Sequence, residues 1–177
     1  MDAKELLLRS LNQSQEYLTK YGLDGLTQEE VAWSLGPECN SIAFILWHIA
    51  RVEDIFVRRH CQRKEELYEA EGWWEKLGTP ARETGYGYRE SGYGYTVEQL
   101  QAWPVPKLET LRGYADSVRN HTLAFLERLS SEKLDEMPWP DRPLDSIGAA
   151  LCHMSTEIAL HVGQITYLRG MQRGLNK

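Results

Sequence analysis

The sequence is poor in the features that mark several protein classes. Cysteine is scarce: Cys39, Cys61 and Cys152 are scattered among 177 residues, with no CxxC pair. That argues against a disulfide framework and against a thiolate zinc site. Basic charge is in deficit, with 20 Lys+Arg against 26 Asp+Glu, a net charge of -6 and no basic cluster, so nucleic acid is not an expected partner. Long apolar runs are missing as well. The longest, residues 42–47, falls far short of a bilayer span, and no membrane partner is expected. The opening Met1-Asp2-Ala3-Lys4-Glu5 lacks the basic-then-apolar layout of a signal peptide, which points to a cytoplasmic protein. There is no alternation of strand and helix patterns of the kind that builds an α/β fold.

What is present is an ordinary globular composition, 42% hydrophobic and 26% charged. A chain of this length suits one domain, 1–177, and buries roughly 70% of its unfolded surface without a metal or disulfide. Four long stretches carry helical periodicity. In the first, Leu7, Leu11, Leu18 and Tyr21 share a face, and Gly22 reads as its stop. Thr27-Gln28-Glu29-Glu30 then reads as a capping box for a short helix closed by Gly36-Pro37. The second begins at Asn40 or Ser41 and runs to about Cys61. Ile45, His48, Ile49, Val52, Ile55 and Phe56 fall on one face, with Arg51, Asp54 and Arg58 outside it. The third carries Leu108, Leu111, Ala115, Val118, Thr122, Phe125 and Leu129. A polar link over residues 130–143 leads to the fourth, from Asp145 or Ser146 to about Met171, with Gly170 and Gly174 marking its end. The expected fold is all-α, a four-helix bundle with a long Gly/Tyr-rich connection between the second and third helices.

That connection contains a tandem heptad. Arg82-Glu83-Thr84-Gly85-Tyr86-Gly87-Tyr88 is followed by Arg89-Glu90-Ser91-Gly92-Tyr93-Gly94-Tyr95. The favoured reading is a local duplication forming a surface loop, because Gly-rich loops tolerate insertion cheaply. The alternative is an aromatic lid over a pocket. Beyond it, Thr96-Val97-Glu98-Gln99 is a second capping box, and it starts a turn that Pro104 and Pro106 interrupt.

Chemistry-bearing residues gather on the fourth helix. His153, Glu157 and His161 follow at intervals of four and form one stripe. With His153 as origin, Glu157 lies at about 40° and His161 at about 80°. Met154, Ile158, Ile165 and Leu168 cluster between about 60° and 140° on the same wheel. His161 therefore lies in the core-facing stripe and Glu157 at its margin. A carboxylate turned toward a core costs several kcal/mol unless it is protonated, hydrogen-bonded or metal-bound. His48 is the other polar residue set in an apolar stripe. Two imidazoles and a carboxylate match a catalytic zinc site with an open position, and equally the facial triad of non-haem iron. His153 and His161 stand about 12 Å apart along the axis and cannot share an ion. Glu157 and His161 can, with His48 closing the set, and His153 is left a cofactor-contacting or supporting role. The competing reading is a hydrogen-bonded core histidine beside an ordinary i, i+4 pair, with His60 and His121 solvated. Mid-helix Gly163 suggests that another backbone or a ligand approaches there.

Taken in order, Leu46-Trp47-His48-Ile49-Ala50-Arg51-Val52-Glu53, His153-Met154-Ser155-Thr156-Glu157 and His161-Val162-Gly163-Gln164-Ile165 resemble the DinB-like (YfiT-like) superfamily of metal-binding four-helix bundles. Glu83-Thr84-Gly85-Tyr86-Gly87-Tyr88 and Thr96-Val97-Glu98-Gln99-Leu100 are similar to the middle loop of one branch. The resemblance implies an up-down-down-up bundle, often a homodimer, holding a divalent ion, zinc or nickel, on three side chains. Many members use three histidines. Glu157 at the middle position resembles the branch of the mycothiol-dependent maleylpyruvate isomerase, and by that correspondence the ligands are His48, Glu157 and His161. With the sequence ending at Lys177, the C-terminal domain that some of those enzymes carry is not expected. The implied activity is a metal-dependent transferase using a bacillithiol, mycothiol or glutathione type of thiol, with a small-molecule thiol or electrophile as partner. The alternatives are a metal-dependent hydrolase and a non-catalytic metal-binding stress-response or structural protein.

Overall fold

Local signals set most helix boundaries. In the computed structural model, which describes residues 2–80, 88–139 and 146–174, α1 spans Ala3–Tyr17, α2 Gln28–Ala32, α3 Ile42–Asp54 and α4 Leu67–Ala70. They are followed by α5 at Trp73–Leu77, α6 at Val97–Ala102, α7 at Leu108–Arg128 and α8 at Ile147–Arg173. The described residues contain no strand. Helices α1, α3, α7 and α8 are the four long segments of the expected bundle, and the short helices occupy the connections. Both capping boxes close reciprocally. Thr27 Oγ1 accepts from the Glu30 amide at 3.3 Å while Glu30 Oε2 accepts from the Thr27 amide at 2.7 Å. Thr96 and Gln99 repeat the pattern ahead of α6. Ser41 caps α3 and Ser146 caps α8, each hydroxyl accepting from the amide three residues on.

Gly22 does not stop the first helix. The chain continues from α1 through wider π-helical turns at Leu18–Leu23, and Gly22 sits inside them, buried. A Cβ there would come within 3.1 Å of Ile165 Cγ2 on α8, so its small size lets the first helix lie close to the last.

Helix α3 also departs from the expected pattern. All 13 of its residues are buried, including Arg51 and Asp54, which the periodicity placed outside the apolar face. Helix α3 is the central rod of the bundle, packed against α7 and α8, with α1 also lying along α8. Its charges are tolerated because they are paired. Arg51 Nη2 meets Glu66 Oε2 at 2.7 Å, and its guanidinium stacks 3.9 Å from the Tyr68 ring. The Asp54 carboxylate accepts from the Leu67 and Tyr68 amides at 3.0 and 2.9 Å, holding the start of α4, and from the Tyr114 hydroxyl at 2.9 Å. Glu53 pairs with Arg119 of α7 at 2.8 Å. Each bond ties α3 to a distant part of the chain. Buried charges arranged this way satisfy one another, whereas a single orphan among them is strongly destabilising.

Candidate metal centre

The packing of α3 on α8 brings His48 to Glu157 and His161. One ligand atom from each of the three residues lies within 4.8 Å of the others. His161 Nε2 is 3.5 Å from Glu157 Oε2, and the two imidazoles meet edge to face with centroids 4.6 Å apart. Side chains around one tetrahedral zinc ion, at about 2.0–2.1 Å from it, stand about 3.4 Å from one another. The observed trio is thus somewhat wider than a closed coordination shell. His48 is buried, while the Glu157 and His161 side chains are 32% and 19% exposed, so both sit at the margin of the α8 core face formed by Met154, Ile158, Val162 and Ile165. The helical wheel put His161 one step further inside.

The surroundings decide what the imidazoles can offer. His48 Nδ1 lies 2.7 Å from the Ser91 carbonyl oxygen. A carbonyl only accepts, so Nδ1 carries the proton and donates, and Nε2 is left with its lone pair. His161 Nδ1 donates in the same way to Gln164 Oε1 at 2.8 Å, and its Nε2 faces Glu157. Both rings therefore have the arrangement usual in metal-ligating histidines, one nitrogen tied to a protein acceptor and the other available to an ion. Burial holds the His48 imidazole below its ordinary pKa. His161 acts in the same direction, while the Ser91 carbonyl and Glu157 pull against them. This favours the neutral form that a metal needs.

The three side chains line a cavity of about 240 Å³ with Phe44, Ile45, Asn40 and the Gly92–Gly94 backbone stretch. Tyr93, 69% exposed, stands at its rim. The second heptad is therefore a wall of the site and not the surface loop expected from its glycines. Ser91 is buried, and Tyr95 packs its ring 5.9 Å from Phe44. Residues 82–87 of the first heptad lie outside the described residues.

His153 stands apart from this cluster. It is exposed one turn before Glu157, with its ring 5.4 Å from Phe56, and it does not line the cavity. His121 is exposed as expected, but His60 is half-buried, its ring 5.9 Å from that of Phe56. Gly163 has open space where a Cβ would project, so neither a backbone nor a packed side chain approaches it. Sequence reasoning missed Ser91 and Gln164 as partners of the two histidines. Gln164 was detectable, since i, i+3 on one helix places it beside His161.

The donor set is chemically suited to a divalent ion: two imidazoles, one carboxylate, and a cavity beside them with room for an exogenous ligand. The sequence profile described as the DinB superfamily matches residues 10–165. Among solved structures, a conserved protein from Enterococcus faecalis is similar in fold, with a TM-score of 0.75 at 21% identity. The similarity covers 96% of this chain and 94% of that one. Comparison with curated proteins gives no match.

Proposed function

The chain belongs to the DinB superfamily, and from that premise we propose that it holds one divalent ion on His48, Glu157 and His161 and acts as a metal-dependent thiol transferase. The observation that carries this reading is the pair of oriented histidines facing a carboxylate beside a cavity. Three protein ligands with space for a fourth is the pattern of catalytic ions, whereas structural ions are closed on all sides. Zinc and nickel both suit this donor set, and iron is compatible with it. When bound, such an ion supplies Lewis acidity that lowers the pKa of a thiol or water taken into the open position.

The chain's own residues do the rest. Ser91 and Gln164 fix the tautomers and ring planes of the two imidazoles. Phe44 and Ile45 give the cavity an apolar wall that excludes water and accepts the carbon part of a substrate. Asn40 and the rim residue Tyr93 are the polar groups within reach of a small electrophile. His153, exposed on the same helix, is assigned to contact the thiol cofactor from outside the cavity, a role that does not require it to touch the ion. Exposed Leu160, Tyr167 and Met171 on α8 support a homodimer. We place this protein in the cytoplasm, as a single domain over 1–177. No described helix is long and apolar enough to cross a membrane.

The test is S-conjugation of a small electrophile by zinc- or nickel-loaded protein, with bacillithiol, mycothiol and glutathione each offered as the thiol. The expected result is a rate that depends on the added ion, prefers one thiol, and is lost in His161→Ala. Hydrolysis of test esters or amides without thiol dependence would move the assignment to a hydrolase. No rate above the His161→Ala background in either assay would leave a non-catalytic metal-binding protein.

A further inference from the structure

We propose that Glu90, Ser91 and Gly92, in the second copy of the tandem heptad, form a positioning arm that sets the tautomer and ring plane of His48. This rests on the metal-site reading above and adds to it residues that touch no ion. The Ser91 carbonyl, 2.7 Å from His48 Nδ1, lies at the end of a single 3₁₀ turn, Tyr88–Ser91, which is too short to hold its own position. Two guanidiniums hold it instead. Arg59 Nη1 meets Glu90 Oε2 at 3.0 Å, and Arg51 Nε donates to the Glu90 carbonyl at 3.4 Å. Both arginines are anchored in turn by one buried carboxylate, Glu66, at 2.8 Å from Arg59 and 2.7 Å from Arg51.

The other end of the arm is set by shape. Gly92 has φ +87°, and a Cβ on it would lie 2.5 Å from Phe44 Cζ and 2.9 Å from Trp47 Cζ3. Only glycine lets the backbone turn there and press against the aromatic face of α3. An ion-pair clamp on one side and a close-packed glycine on the other thus aim one carbonyl at one ring nitrogen. Residues that orient a metal-ligating histidine in this way typically change metal affinity about 10–100-fold when removed. The buried arginine of α3, which the proposed reaction does not use directly, is thereby joined to the site through the duplicated loop.

Two measurements test this. Long-range ¹⁵N–¹H NMR of the metal-free protein reads the His48 tautomer without any substitution. The expected form is Nδ1–H, and an Nε2–H form would overturn the proposal. Cobalt titration, with the metal alone as probe, then compares wild type, Glu90→Gln and Gly92→Ala with Glu30→Gln, which removes a half-buried ion pair to Arg173 far along α8. Glu90→Gln and Gly92→Ala should weaken cobalt binding about 10–100-fold and alter its d–d absorption band. Glu30→Gln should shift the melting temperature and leave both readings unchanged. Wild-type affinity and an unchanged band in Glu90→Gln would overturn the arm while the three-ligand site stood, provided His161→Ala lost cobalt. Failure of the wild type itself to bind cobalt would overturn the metal reading and the arm with it.

Discussion

At the scale of single residues, the most consequential side chain outside the candidate metal centre is Arg51. It is fully buried, and its guanidinium is shared among Glu66, the Glu90 carbonyl, the Tyr114 hydroxyl and the Tyr68 ring. Removing it takes the nearby cation from the buried Asp54 carboxylate and one of the two guanidiniums from buried Glu66, which keeps Arg59. Arg51→Ala should therefore lower the unfolding free energy by about 3–5 kcal/mol, measured by urea denaturation of the metal-free protein. A loss below about 1 kcal/mol, the range of an exposed pair, would show that the network is solvated in solution. His48, Glu157 and His161 were legible in the sequence because each is a polar residue set in or beside an apolar helical stripe. The burial of Arg51 and Asp54 was not legible. Their partners Glu66 and Tyr114 are brought to them by tertiary packing, and no periodicity within α3 encodes that. The Ser91 carbonyl escaped notice for the same reason, since it lies 43 positions away from His48.

At the scale of the element, caps were the most readable feature. The Thr27/Glu30 and Thr96/Gln99 boxes act over three residues, so a local pattern is enough to specify them. Glu30 does more than cap. Its carboxylate also binds Arg173 near the end of α8, at 2.6 and 2.7 Å, joining α2 to the last turn of the bundle. The Arg173 guanidinium, together with the Thr27 amide, holds the Glu30 carboxyl down at about 2 against an ordinary 4.5. With the folded value depressed, the contribution to stability is complete above pH 4.5 and is lost as pH falls toward 2. The denaturation midpoints of wild type and Glu30→Gln should therefore differ at pH 6 and converge across that acid window. A gap that stays constant would contradict the pairing. Helix α8 itself contains a replaceable residue. Gly163 is helical, exposed and unopposed, so Gly163→Ala should raise stability by about 0.5–1 kcal/mol in urea titration without changing metal affinity. Destabilisation would mean that the open space beside it is filled in solution.

At the scale of the whole molecule, the bundle exists to hold two helices at one spacing. The buried apolar side chains form one cluster through α1, α3, α7 and α8, and its interior is dominated by α3. That central rod presents His48 to α8 on one side and its charge network to α4, α7 and the loop on the other. The all-helical bundle followed from the four periodic segments, whereas the wall that completes the cavity could not, because it is built by a loop whose glycines read as solvent-facing. The candidate ligands His48 and Glu157 lie more than a hundred positions apart in sequence, so the cluster exists only in the folded chain, and an ion bound there would stabilise that fold. The most direct measurement is metal content per chain after dialysis against zinc or nickel, for untagged wild type and His161→Ala side by side. About one equivalent is expected in the wild type, with a rise in its melting temperature on loading and loss of both in the variant. A wild-type chain that takes up neither ion, or a His161→Ala variant that keeps it, would contradict the three-ligand centre on which the proposed chemistry depends.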